Sequence, residues 1–321
     1  IMGTMITISS NSWIGMWMGL EINLLSIIPL LSNIKNKMES EAAMKYFITQ
    51  AMASTIFIFS TMLILLKYNQ IQSTKLTSLI MDSAILTKMG AAPFHFWFPE
   101  IMEGLSWINS TIMLTWQKIA PMIIFMYTPK MILFSTMVIL SSMMISGLMG
   151  INQTSLRKIL AYSSINHIGW MIGAMMTNQT LWMTYLVIYS LMTINITSMF
   201  MNMNTFNVNQ LISKMNMHKP VKMLFSMNFL SLGGIPPFIG FFPKWITINA
   251  MIEEKMFLLT TIMIIMTLAT LFFYMRISFM SILMTTAEPM STKTNINFKM
   301  LVMNFLILSS LSLCPIMMNF I

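Results

Sequence analysis

The chain runs to 321 residues, of which 56% are hydrophobic and only 8% charged, with a net charge of +9; a soluble protein carries about 25% charged residues. Mean hydropathy is +0.75, which excludes soluble folds, Rossmann and P-loop domains among them, and leaves an all-α membrane protein. The basic residues are spread over short connections rather than gathered into a patch, which argues against nucleic acid, and the single cysteine, Cys314, excludes a disulfide framework and iron–sulfur ligation.

A membrane-crossing helix needs about 20 residues, and apolar runs between polar breaks predict about eleven such spans. They lie near 1–16, 18–31, 42–66, 76–102, 110–127, 131–149, 155–176, 180–203, 221–250, 257–284 and 300–321. The first is short and polar, with Thr4, Thr7, Ser9, Ser10, Asn11 and Ser12. It lacks the basic leader and small-residue cleavage site of a secretory signal. Residues 1–321 thus read as a single polytopic membrane domain. The connections after even-numbered spans hold Lys35, Lys37, Arg157, Lys158, Lys214, Lys219, Lys222, Lys293 and Lys299; those after odd-numbered spans hold Lys67, Lys75, Lys130 and Lys255. Cytoplasm-equivalent loops carry the excess of basic residues, so the N-terminus is expected on that side and the C-terminus on the other.

Spans 4 and 9 differ from the rest. Span 4 contains Lys88-Met-Gly-Ala-Ala-Pro-Phe-His-Phe-Trp-Phe-Pro99, and span 9 contains Gly233-Gly-Ile-Pro-Pro-Phe-Ile-Gly-Phe-Phe-Pro-Lys-Trp245. Each sets glycine and proline in mid-span with a lysine beside them. Proline removes a backbone donor and excludes the carbonyl four residues back, so Pro93 would free the carbonyl of Met89. Helix breaks are tolerated at membrane depth only where protein or a wet cavity satisfies the freed groups. The two spans are separated by an odd number of crossings and therefore run in opposite directions. That is the pattern of an inverted repeat with two broken helices, its first half about 1–127, its second about 131–284, and a C-terminal helix about 300–321. The alternative is a pair of hairpin-like surface loops, which the aromatic flanks oppose.

Most charges fall in loops; five ionisable residues do not. Glu21 lies in span 2, Lys88 midway along span 4, Lys118 in span 5, His167 in span 7 and Lys244 at the end of the break in span 9. A charge at mid-membrane costs at least about 2.5–3.5 kcal/mol, and such residues mark ion or proton pathways. Lysine and histidine can gain and lose a proton where arginine cannot. Burial favours the neutral amine and a nearby carboxylate favours the ammonium, so moving Glu21 relative to a lysine would load or unload a proton. Taken singly, each site could instead be a satisfied buried ion pair or a snorkelling chain.

Other features read as structural. Asp82 and Lys88 are six residues apart, about 240° around an ideal helix, so they do not face each other. Gly15-x-x-x-Gly19 and Gly169-x-x-x-Gly173 read as helix-packing notches. Glu253, Glu254 and Lys255 read as a solvated loop. Nothing around His95, His167 or His218 suggests haem, and the 43 methionines read as lipid-facing or core filler rather than metal ligands. Methionine excess with abundant Ile and Asn is similar to the product of an AT-rich mitochondrial genome in which an extra codon reads as Met.

Along Trp17–Leu25, Ser40–Gln50, Gly90–Pro99, Thr115–Pro121, Asn152–Trp170 and Ser231–Trp245 the sequence resembles the chain 2 family of mitochondrial NADH–ubiquinone oxidoreductase (respiratory complex I), insect-type versions above all. The resemblance covers nearly the whole chain in order. It implies an antiporter-like, proton-translocating subunit of the membrane arm in the mitochondrial inner membrane, with the N-terminus in the matrix and the C-terminus in the intermembrane space. As part of NADH:ubiquinone reductase it would have no redox site of its own and bind no cofactor, with NADH, FMN, iron–sulfur clusters and ubiquinone held by other subunits. Its partners would be other membrane-arm subunits, neighbouring antiporter-like chains included, and membrane lipids. The resemblance makes Glu21 and Lys88 a coupled pair, Lys118 the connecting lysine, Lys244 the lysine of the second broken helix and His167 a polar axis residue. Asp82 is not part of the family pattern. The competing readings are a stand-alone cation/proton antiporter and a structural scaffold whose buried charges merely pair.

Overall fold

The computed structural model describes residues 1–33, 36–66, 71–129, 131–215, 219–236, 238–283 and 304. The predicted span 300–321, apart from Asn304, and Lys35, Lys67, Lys130, His218, Pro237, Lys293, Lys299 and Cys314 lie outside the described residues.

The described chain is helical. Its helices are α1 (Met2–Ser9), α2 (Trp13–Leu31), α3 (Lys37–Leu66), α4 (Ile71–Met89), α5 (Trp97–Gly104), α6 (Trp107–Leu114), α7 (Trp116–Tyr127) and α8 (Ile132–Ile151), then α9 (Leu156–Thr177), α10 (Gln179–Met203), α11 (Val208–Met215), α12 (Lys219–Gly233), α13 (Phe241–Glu253) and α14 (Phe257–Leu283). Among the described residues the one β-type feature is an antiparallel bridge between Ser155 and Asn207. Among the described residues, five helices, α2, α3, α8, α10 and α14, are long and apolar enough to cross a membrane. They expose large apolar side chains such as Leu25, Phe59, Leu133, Met183 and Leu268, as helices facing hydrocarbon would. Hydroxyls on the described helices mostly turn back on their own backbone: Ser60 on α3 donates to the Phe57 carbonyl, Ser146 on α8 to Met143, Ser164 on α9 to Ala161 and Ser281 on α14 to Ser278, at 2.6–3.0 Å. A polar side chain satisfied this way is compatible with an apolar surround.

Helices α8, α9, α10 and α14 lie within two residues of the apolar runs 131–149, 155–176, 180–203 and 257–284, and the chain departs from the expectation at its start. The expected span 1–16 is instead the short α1 followed by a break at Ser10–Ser12, because Ser12 accepts from the Gly15 N–H (3.2 Å) and caps α2. Span 5 is divided: α6 ends at Leu114 and α7 begins at Trp116. Thr115 interrupts it, its hydroxyl donating to the Thr111 carbonyl at 2.7 Å, and Pro121 lies inside α7.

The chain forms two compact units, Ile1–Ser141 and Ser142–Ile321. In the first, α3 packs on α2, α4 and α5, α1 lies on α2, and α4 meets α7. The α1–α2 contact is a glycine notch: a Cβ on Gly19 would lie 2.8 Å from both the Gly3 carbonyl and the Thr7 nitrogen. In the second, α9 is buried from Leu156 to Met175 except Arg157 and Lys158, enclosed by α10, α13 and α14. Gly169 is a notch too, a Cβ there meeting the Ser142 hydroxyl at 2.5 Å.

Basic residues close helix ends in this unit. Lys214 donates to the carbonyls of Met203 and Asn204 at the end of α10, and Arg276 to those of Ile151 and Gln153 beyond α8. Cations belong there because terminal carbonyls are unpaired and negative. Lys222, counted above with the loop charges, is buried in the first turn of α12 on the face that also carries Phe225, Ser226 and Phe229.

Candidate functional site

Both interrupted stretches stop their helices in the same way. At the end of α4 the Ala91 N–H donates to the Leu86 carbonyl (3.1 Å) and the Gly90 N–H to Thr87 (3.2 Å). At the end of α12 the Ile235 N–H donates to Leu230 (3.4 Å) and the Gly234 N–H to Ser231 (3.0 Å). These are paired six-to-one and five-to-two bonds around a left-handed residue, and Gly90 (φ +74) and Gly234 (φ +77) supply it. The expected cause was proline. The helix has already stopped at Met89, four residues before Pro93, so glycine ends it and proline follows.

The carbonyls exposed by these stops have partners. In the first unit Trp97 Nε1 donates to the Thr87 carbonyl (3.0 Å) and the Ser141 hydroxyl to Ala92 (3.0 Å). In the second, the Lys244 ammonium donates to the Gly233 carbonyl at 2.7 Å. Gly234 makes room for it: a Cβ there would lie 2.9 Å from Lys244 Cδ and 3.0 Å from Nζ.

Lys88, Lys118, His167 and Lys244 are each at most 7% exposed, and Glu21 is half-buried. In the first unit, Lys88 sits in the last turn of α4, not midway along a helix. Glu21 lies on α2, two residues before Asn23, and its buried Oε1 has no hydrogen-bond partner among the described residues. Lys88 also borders a small cavity with Asn23, Tyr46, Gln50 and Gln117. Lys118 lies on α7 with its ammonium 5.6 Å from the centroid of the Phe98 ring. The same ring packs against Gly90, so α5 carries one aromatic that touches both the helix stop and the second lysine. An aromatic face attracts a cation without supplying a counter-charge.

In the second unit, His167 Nδ1 is 2.9 Å from the Tyr185 hydroxyl and its ring packs 4.8 Å from that of Tyr189. Asn166 donates to the Thr270 hydroxyl at 3.2 Å. Asn195 donates to Asn228 (3.2 Å) and to Asn304 (2.7 Å), an amide cluster that draws on α10, α12 and the residue at 304. Asp82 is buried beside Thr128.

The residues the sequence reading passed over are the neutral ones: Asn23, Tyr46 and Gln117 around Lys88, Tyr185 beside His167, and Asn195 with Asn228. Their signal was a carboxamide or phenol inside an apolar helix, where a polar group must find a partner. No group of three or more His, Cys, Asp or Glu that could hold a metal ion occurs among the described residues.

Comparison with known proteins supports the resemblance. The family described as NADH:quinone oxidoreductase/Mrp antiporter, TM matches residues 10–271. NADH-ubiquinone oxidoreductase chain 2 of Anopheles gambiae is 48% identical over 320 residues, covering 97% of this chain and 93% of its own length. The Locusta migratoria protein of the same name is 48% identical over 313 residues, covering 97% and 91%. A chain of respiratory complex I from Thermus thermophilus superposes with a TM-score of 0.86, covering 97% of this chain and 75% of that one, at 21% identity. That likeness concerns the fold alone. With nearly half its residues shared over almost the whole length of two insect proteins, the chain belongs to the NADH-ubiquinone oxidoreductase chain 2 family, within the wider NADH:quinone oxidoreductase/Mrp antiporter transmembrane family.

Proposed function

We propose that this chain is a proton-translocating, antiporter-like subunit of the membrane arm of respiratory complex I, in the mitochondrial inner membrane with its N-terminus in the matrix. On this reading it crosses the membrane about eleven times. The pairs α4/α5 and α12/α13 are discontinuous membrane helices, corresponding members of repeats at about 1–127 and 131–284. Electron transfer from NADH to ubiquinone takes place in other subunits, which hold the redox groups, and biases the charge states of this chain from a distance. Neighbouring antiporter-like chains and lipids cover its apolar faces.

One observation carries the reading. Each glycine-stopped helix has a buried lysine at the stop, Lys88 in the last turn of α4 and Lys244 on the Gly233 carbonyl. Neither lysine is needed to end its helix, since the glycine motif does that. An intramembrane ammonium is costly, and one that faces protein rather than lipid is a pathway residue by default. Glu21, two residues before Asn23 on the cavity that Lys88 also lines, is the carboxylate placed to oppose its charge. Close to Lys88 it favours the ammonium; moved away, it lets burial favour the free amine. Lys118, His167 and Lys244 are the further proton carriers.

The test is proton uptake per NADH oxidised in assembled complex carrying Glu21→Gln, Lys88→Met or Lys244→Met. Each variant should assemble and pump less. Glu21→Gln combined with Lys88→Met should be little worse than either alone, because both disable one unit. Wild-type rate and stoichiometry in all three would leave a scaffold whose buried charges are structural.

A further inference from the structure

The carboxamides of Asn23, on α2, and Gln117, on α7, face each other and exchange both hydrogen bonds. Asn23 Nδ2 donates to Gln117 Oε1 (3.1 Å) and Gln117 Nε2 donates to Asn23 Oδ1 (3.3 Å). Tyr46, on α3, donates its hydroxyl to the same Gln117 oxygen at 3.4 Å. Asn23 is buried and Gln117 half-buried. Farther along α2, Asn109 on α6 donates to the Leu30 carbonyl at 2.8 Å. These bonds tie α2 to its neighbours at two places, on either side of Pro29.

What lies around the amide pair gives it a role. Glu21 precedes Asn23 by two residues and Lys118 follows Gln117 directly. Asn23, Gln117, Tyr46, Gln50 and Lys88 line one cavity of about 20 Å³. A site needs roughly 10–15 Å³ and two to four polar partners to hold a water, so this one admits a single molecule within reach of Lys88 and both amides. Since a buried carboxamide must keep its partners, the pair can be satisfied in two ways: closed on itself, or opened with water taking one partner's place. A displacement of α2 against α7 breaks or reforms this pair, and it carries Glu21 with it.

We propose that Asn23 and Gln117 form a clasp that sets the position of Glu21 against Lys88. They are positioning residues, carrying no proton themselves, and Tyr46 orients Gln117 from the side. The inference rests on the reading of Glu21 and Lys88 as the proton-handling pair.

The experiment measures uncoupled NADH oxidation and proton uptake per NADH in assembled complex carrying Asn23→Leu, Gln117→Leu, or the exchange of Asn23→Gln with Gln117→Asn. Each leucine variant should keep electron transfer and lose proton uptake to the level of Glu21→Gln. Adding Glu21→Gln should lower it no further. The exchange, which keeps two facing amides, should recover at least half of the loss. Wild-type stoichiometry in Asn23→Leu, or an assembled exchange variant no better than the leucine variants, overturns the clasp. If neither leucine variant assembles, the exchange decides by the same criterion. If that too fails, Tyr46→Phe decides, an intermediate stoichiometry being expected and a wild-type one overturning. A Lys88→Met complex that pumps normally removes the underlying reading, whereas a defective Lys88→Met beside a normal Asn23→Leu removes the clasp alone.

Discussion

Gly233 and Gly234 are adjacent glycines at one helix stop, and alanine should have opposite effects at them. At Gly233 an added Cβ meets only Tyr274 Cδ2 at 3.5 Å and Leu271 Cγ at 3.7 Å, ordinary contacts, and the residue is helical. Gly233→Ala should therefore be neutral or stabilise by about 0.4–1 kcal/mol through the unfolded state. Gly234 is left-handed (φ +77) with Lys244 Cδ 2.9 Å from the Cβ position. Alanine there costs about 1–2 kcal/mol in backbone strain. It also pushes the lysine off the Gly233 carbonyl, a charge-assisted bond that contributes about 1.5–3 kcal/mol. The combined loss, about 2.5–5 kcal/mol, corresponds to local opening at least about two orders of magnitude more frequent. Amide hydrogen exchange at Gly234 and Ile235, whose N–H groups bond Ser231 and Leu230, reads that opening in the assembled complex. Exchange in Gly234→Ala no faster than in Gly233→Ala would refute both the strain and the lysine terms.

Tyr185→Phe removes the hydroxyl 2.9 Å from His167 Nδ1. It should destabilise the unit by about 0.5–1.5 kcal/mol, the net contribution of one buried hydrogen bond, read as a lower thermal midpoint of the complex. Gly19→Val drives a side chain into the Gly3 carbonyl and the Thr7 backbone. Overpacking of this kind costs about 1–3 kcal/mol and should lower the amount of assembled complex on native gels. Lys45 bridges Glu41 (3.0 Å) and Glu100 (3.1 Å), but its side chain is 44% exposed. Lys45→Ala should change neither assembly nor thermal midpoint, since exposed ion pairs add little.

Much of the helical framework was legible because hydropathy reports burial in lipid directly. The interruptions near Lys88 and Lys244 were visible as glycine and proline inside apolar runs. Their cause was misread, because a proline rule looks four residues back while the left-handed glycine acts where it stands. The break at Thr115 has no glycine and rests on one hydroxyl bonding back along the helix together with Pro121, which composition does not separate from an ordinary span. The burial of Lys222 was missed for a related reason: a basic residue near a polar connection reads as a loop charge, and its face becomes visible only beside Phe225, Ser226 and Phe229. Around the candidate site, Glu21, Lys88, Lys118, His167 and Lys244 stand out in the sequence as ionisable groups inside apolar runs. Asn23, Gln117 and Tyr185 do not, because their partners lie on other helices and sequence spacing does not reveal them.

The hydroxyls and the carboxamides divide the work of assembly between them. Ser60, Ser146, Ser164 and Ser281 are satisfied within their own helices, so these hydroxyls can enter a bilayer without a partner on another helix. Asn23, Gln117, Asn166, Asn195 and Asn228 bond across to other segments, and in a lone inserted helix those amides would be stranded. Insertion can therefore proceed helix by helix, while lateral pairing in the membrane is selected by a handful of amides that have nowhere else to bond. A newly made chain would carry its hydroxyls without strain and remain adhesive at its asparagines and glutamines until the proper neighbour arrives.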